Sequence, residues 1–120
     1  MPLKPSDKTR APKLLAKWTK TLELDAPNWN ISLTFLPETS MEGADGSCTW
    51  QGEYMEAVID INEEADDLHS VEETIVHELL HLKLQGHLDP EKVLAEYDPL
   101  FENALNVIAR ELVIGRRKTK

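Results

Sequence analysis

The sequence predicts an α+β fold: an N-terminal helix, a small three-stranded, mostly antiparallel sheet, and a run of C-terminal helices. Three observations predict it. Apolar residues recur at helical spacing before residue 25, alternate with polar ones between residues 29 and 62, and return to helical spacing after residue 70. The 120 residues are 41% hydrophobic and 29% charged. That balance suits a single globular domain, 1–120, with one core and basic ends at 1–9 and 114–120 that are free to fray.

The first helix is expected from about Ala11 to Leu24, with Pro12 in its first turn and Leu14, Leu15, Trp18 and Leu22 on one face. Trp18 reads as a core residue. Asp25-Ala26-Pro27-Asn28 breaks the chain. Trp29, Ile31, Leu33 and Phe35 then alternate with Asn30, Ser32 and Thr34, the pattern of a half-buried strand ended by Pro37. Met41 to Gly46 reads as a loop. A second strand, Ser47 to Gln51, carries Cys48 and Trp50 on one face, and a turn at Gly52-Glu53 leads into a third strand, Glu56 to Asn62. An acidic connection, Glu63 to Asp67, follows.

Ser70 and Glu73 form a capping box for the next helix, with Asp66 and Asp67 just upstream, where negative charge suits a helix start. Val71, Ile75, Leu79 and Leu82 make its main apolar face, Val76 and Leu80 a second flank, and Gly86 a natural stop. Asp89-Pro90-Glu91 starts a short helix to about Tyr97. Asp98-Pro99 starts the last one, to about Val113, with Phe101, Leu105, Ile108 and Leu112 as its apolar positions.

The capped helix carries His77-Glu78-Leu79-Leu80-His81. Residues four apart on a helix lie nearly above one another, so both imidazoles share one face with a carboxylate beside them. Two histidines so placed can bind one tetrahedral Zn²⁺ while the glutamate reaches the water on the metal. The plain alternative is a helix whose histidines are merely solvated. Burying two imidazoles and a glutamate without partners is costly, however, and a metal is such a partner.

Composition narrows the function classes. Residues 1–20 carry six Lys or Arg and residues 112–120 carry four, which leaves 21 of the 22 acids and three of the 13 bases between them. An acidic body with a net charge of −9 argues against a nucleic-acid groove and favours basic or neutral peptides. No apolar run approaches the roughly 20 residues that span a bilayer, and the N-terminus has no signal-peptide core. The single Cys48 forms no internal disulfide and suits a reducing, cytoplasmic setting. It could ligate a metal or act as a latch, but a half-buried strand thiol is the simpler reading. A soluble monomer is expected.

Catalytic zinc takes three protein ligands and a water, so a third ligand should lie downstream. Glu102 sits early in the last helix at the edge of its inward face, although a first-turn acid also answers the helix dipole. His87 follows His77 by ten residues, a spacing a tight turn can return to the metal, but Leu84 occupies the place where a glycine would serve that turn. Glu96 and Asp98 are further candidates.

The order of elements, the His77-Glu78-Leu79-Leu80-His81 helix and the later glutamate helix resemble the gluzincin branch of the zincin metallopeptidases. The chain length is similar to that of the minigluzincins. The stretch Ala57-Val58-Ile59-Asp60-Ile61-Asn62, an acidic linker and Glu72 to Leu82 resemble small predicted zincins of bacteria and phages. The likeness covers residues 10–113 in layout and 57–82 and 102–112 in motif. It implies a zincin-like fold with a backing first helix, one Zn²⁺ per chain held by His77, His81 and Glu102, and Glu78 as general base. It also implies that the strand before the motif helix, with Ala57, Val58, Ile59 and Asp60, forms the cleft rim and pairs with extended substrate. The departure is the stretch between His81 and Glu102, with two proline-started segments and His87.

The implied reaction is hydrolysis of peptide bonds: zinc acidifies a water and polarises the carbonyl, and Glu78 carries the proton to the leaving amine. Tyr97, Tyr54 and His87 are candidate donors to the oxyanion. Two other classes compete, a zinc-binding module of the same fold without turnover and a three-histidine metal-dependent nuclease that uses His87. The acidic body speaks against the nuclease.

Overall fold

The computed structural model describes residues 5–25, 29–64, 71–95 and 98–118. The capping box at Ser70, the acidic residues Asp66 and Asp67, the Pro27-Asn28 break and the candidates Glu96 and Tyr97 lie outside them. Helix α1 (Pro5–Thr21) begins six residues before the expected start, so Pro12 falls inside the helix rather than in its first turn. It is tolerated there because it faces solvent, at the loss of one backbone bond to the carbonyl four residues back. Ala11, Leu15 and Trp18 are buried along the opposite side. The helix ends with Glu23 in the left-handed region (φ 58°) and Leu24 N–H donating to the Thr19 carbonyl at 2.9 Å, the wrap that closes many helix ends.

Strand β1 (Asn30–Leu36) is followed by a one-turn helix α2 (Glu38–Met41), which extends into the expected loop, and then by β2 (Gly46–Gln51) and β3 (Glu56–Asn62). The sheet order is β1-β3-β2, with β3 parallel to β1 and antiparallel to β2. The sheet is therefore mixed rather than mostly antiparallel. Register places Ile31 beside Ala57, Leu33 beside Ile59 and Phe35 beside Ile61, and across the other edge Trp50 beside Ala57, Cys48 beside Ile59 and Gly46 beside Ile61. These rows form one face, which packs on the helices; Ile59 and Ile61 are fully buried. The opposite face is polar and includes a Thr34–Asp60 hydrogen bond. Alternation of apolar residues at period two is what makes the sheet one-sided.

Helix α3 (Val71–Gln85) lies against this face and touches α1 and the last helix as well. Ile75, Val76, Leu79 and Leu82 are at most 1% exposed. Gly86 follows its end, and Gly86 N–H bonds to the Leu82 carbonyl at 2.8 Å. Helix α4 (Pro90–Ala95) starts with Asp89 Oδ1 accepting from Glu91 N–H at 3.0 Å, and α5 (Pro99–Lys118) with Asp98 Oδ1 accepting from Leu100 N–H at 2.9 Å. Both are side-chain N-caps of the kind the Asp-Pro pairs suggest.

Helix α5 runs five residues beyond its expected end. Its buried row is Leu105, Ala109 and Val113, with Phe101 half-buried, whereas Ile108 and Leu112 are 44% and 37% exposed. The row at spacing four meets α3, and Arg116, three residues after Val113, lies on the same side of the helix. Arg116 Nε and Nη2 each donate to the Glu72 carboxylate at 2.6 Å, and Trp18 Nε1 donates to the same group at 2.8 Å. Glu72 is 2% exposed, so one buried carboxylate joins α1, α3 and α5. Contacts between 72 and 116 and between 81 and 102 make α3 and α5 antiparallel, which brings the start of α5 to the histidines. Among the described residues no helix is long and apolar enough to cross a membrane.

Candidate metal centre

His77 and His81 project from one face of α3, and Glu102 reaches them from the first turn of α5. Glu102 Oε2 lies 3.2 Å from His77 Nε2 and 2.8 Å from His81 Nε2. One ligand atom from each of the three residues falls within 4.8 Å of the others, and among the described residues this is the one such group. The imidazole rings meet edge to face, with centroids 4.9 Å apart, and Phe101 flanks His81 at 6.0 Å.

The hydrogen bonding of His81 bears on what the group can hold. Its Nδ1 is 2.8 Å from Gln85 Oε1, one turn further along α3. With Nδ1–H donating to that carbonyl oxygen, Nε2 presents a lone pair to the Glu102 carboxylate. Two acceptors at 2.8 Å repel unless a proton or a cation stands between them. Two imidazole nitrogens and a carboxylate oxygen are a donor set for a divalent metal, with Gln85 orienting one imidazole from behind.

Glu78 lies beside this group, 6% exposed, with Oε2 4.0 Å from His77 Nε2. Burial, then the charges of Glu102 and Asp45, push its carboxyl up to about 8 in the metal-free protein. Strand β2 passes close over it because it starts with glycine. A β-carbon at Gly46 would sit 2.6 Å from Thr74 Cγ2 and 3.3 Å from Glu78 Oε2. Asn62 fixes that approach from below, donating to the Ala44 carbonyl at 3.0 Å.

A cleft of about 900 Å³ opens over these residues, bordered by β2, the histidine face of α3, and Phe101, Glu102 and Asn106 of α5. Asp45, Glu73 and Asp98 add acidic lining, and among the described residues no Lys or Arg lines it. Comparison with known proteins finds no matching family model, curated protein or solved structure. The functional reading therefore stands on the residues themselves.

The structure brings together His77, Glu78, His81 and Glu102 and leaves the described candidates His87 and Asp98 outside the ligand group. His87 is exposed and lines a second cavity with Tyr54, and Trp50 lies between that cavity and the cleft. Asp98 lines the cleft, but its carboxylate caps α5. Cys48 also lines the cleft outside the ligand group, and burial, followed by the charges of Glu78 and Asp60, holds its thiol protonated. The rim strand needs correction. Ala57, Val58, Ile59 and Asp60 lie in the central strand, hydrogen-bonded on both sides, so β3 has no edge to offer a substrate. The strand edge at the cleft belongs to β2. Gln85, Gly46 and Asp45 were missed by motif reasoning. Only Gln85 had a signal, its position four residues after His81.

Proposed function

We propose that this chain is a zinc-dependent metallopeptidase in which His77, His81 and Glu102 hold Zn²⁺ and Glu78 is the general base. The convergence of two imidazole nitrogens and a carboxylate oxygen beside a second, buried carboxylate carries the reading. Tetrahedral zinc with bonds near 2.0–2.1 Å sets neighbouring donor atoms roughly 3.3 Å apart. The observed 3.2 Å and 2.8 Å separations support the fit, since the closer pair needs to open by only about half an ångström. When bound, the metal supplies Lewis acidity and a water acidified toward about pH 7.

This chain's residues do the rest. Gln85 holds the His81 ring so that Nε2 faces the site. A cation held by the ligand group would oppose the burial and the Glu102 and Asp45 charges that raise Glu78, and as a carboxylate Glu78 would accept a water proton and pass it to the leaving amine nitrogen. The outer edge of β2 offers backbone groups to an extended peptide, with the side chains of the cleft around it. A cleft whose described lining is acidic and holds no Lys or Arg disfavours phosphodiesters, and His87 lies outside the ligand group, which argues against a three-histidine nuclease.

A zinc-binding module without turnover is the second reading. The depth of Glu78, 6% exposed, favours it, because a base must reach water. Incubation of the zinc-loaded protein with a mixed peptide library decides between the two. The peptidase reading expects cleavage that falls by about 10²- to 10⁴-fold in Glu78→Gln. Wild type no faster than Glu78→Gln makes the chain a binding module.

A further inference from the structure

Beside the cleft lies a second cavity of about 1000 Å³, formed where the end of β2, the 52–55 turn, the end of α1 and the end of α3 meet. Trp50 lines both spaces. Its indole N–H donates to the Leu88 carbonyl at 3.0 Å, which fixes the ring between them. Leu82 and Met55 are apolar lining of the second cavity, and Trp29, Trp50 and Tyr54 present aromatic surface. Gly86 lets the end of α3 pack closely against the Trp29 ring, since a β-carbon there would collide with the Leu82 carbonyl and lie 3.1 Å from Trp29 Cζ2.

The charge around these rings is one-sided. Among the described residues, Glu23, Glu53 and Asp89 line the cavity together with the ammonium of Lys83 and the imidazole of His87. Asp89 accepts the α4 cap bond at one carboxylate oxygen, Oδ1. An anionic or phosphorylated group would be repelled here, and a purely aliphatic one would leave the carboxylates unused. A long side chain with a cationic head matches both features: its methylene stem lies along the rings and its head meets ring faces and carboxylates. Lysine and arginine have that shape.

We propose that the second cavity is a subsite for a Lys or Arg side chain of a peptide whose backbone lies in the cleft. The proposal rests on the peptidase reading. It assigns the substrate class, peptides bearing a basic residue, and makes Trp50 the divider between the reacting centre and the specificity pocket.

Binding and cleavage test it separately. Zinc-loaded Glu78→Gln protein is titrated at low ionic strength with blocked Ala-Lys-Ala, Ala-norleucine-Ala and Ala-Glu-Ala peptides, with the indole N–H signals of Trp29 and Trp50 followed by NMR. The Lys peptide is expected to shift both signals and to bind at least tenfold more tightly than the norleucine peptide, and the Glu peptide more weakly than either. Glu23→Gln, Glu53→Gln and Asp89→Asn together, with the Asn retained as a helix cap, should reduce the Lys preference at least tenfold. Equal binding of Lys and norleucine, a preference that survives the triple change, or no binding at all overturns the subsite. Cleavage of a library by wild type without preference for basic residues overturns it too, while leaving the peptidase reading intact. A charge-dependent Lys preference without any cleavage by wild type supports the cationic pocket and removes the peptidase reading.

Discussion

Replacing Arg116 with Met removes the two guanidinium hydrogen bonds to Glu72, a carboxylate that also accepts from the Trp18 indole. Glu72 is 2% exposed, so water cannot take over the lost partner in full. Removing one member of a buried ion pair costs about 3–5 kcal/mol. The Arg116 side chain is itself 15% exposed, which admits some solvent to the rim and favours the lower figure, about 3 kcal/mol. At about 2.1 cal/mol/K per residue, the 120-residue chain unfolds with an entropy near 0.25 kcal/mol/K, so the midpoint should drop by roughly 12 °C. Differential scanning calorimetry and urea titration of the metal-free protein measure this. The double variant Glu72→Met/Arg116→Met should recover most of the loss, because it removes the buried charge together with its guanidinium partner. A loss under about 1 kcal/mol for Arg116→Met, or a double variant no better than the single one, would refute the argument that this carboxylate joins the three helices.

In the metal-free protein Glu78 holds its proton up to about pH 8, whereas the unfolded chain releases it near 4.5. The folded state therefore binds the extra proton between those values, and wild-type stability should fall relative to Glu78→Gln as pH rises from 5 to 8, by on the order of a few kcal/mol; parallel pH–stability curves for the two proteins contradict this. Gln85→Ala should weaken zinc binding by about 10- to 100-fold through loss of the group that orients His81, and His87→Ala should leave it unchanged, both read by competition with a chelating dye. Gly46→Ala forces a contact with the Thr74 methyl and should cost about 1–3 kcal/mol. Thr74→Ser removes that methyl and should restore part of the stability in the double variant, with no recovery locating the strain elsewhere.

The parts of the fold written in local pattern were legible. Alternation from Asn30 to Leu36 and from Glu56 to Asn62 marked β1 and β3 to within a residue, and the Asp-Pro pairs marked the starts of α4 and α5. Alternation states which face a strand buries, not which strand lies beside it. Hence β3 reads equally well as a central or a rim strand until Ile31, Leu33 and Phe35 are seen to register against Ala57, Ile59 and Ile61. The extent of α5 was hidden for a similar reason. Arg116 belongs to a basic run by sequence, and its partner Glu72 is 44 residues away.

Within the candidate site, the spacing of His77, Glu78 and His81 made their shared helix face readable, because the helix itself enforces it. Glu102 and His87 could not be separated that way. Their positions depend on how the chain between Gly86 and Pro99 turns, and that path is set by tertiary contacts such as the Trp50 to Leu88 hydrogen bond. That contact lies between the second cavity, which takes His87, and the cleft, where the cap at Asp98 starts the helix that carries Glu102.

The central claim is that three residues from two helices hold one zinc ion beside Glu78. Crystals of protein purified with zinc, measured on both sides of the zinc absorption edge, test it most directly. The account predicts one anomalous peak per chain, enclosed by His77 Nε2, His81 Nε2 and the Glu102 carboxylate and lost in Glu102→Ala. A zinc-free protein after supplementation, or a peak ligated by His87 in place of Glu102, would contradict it.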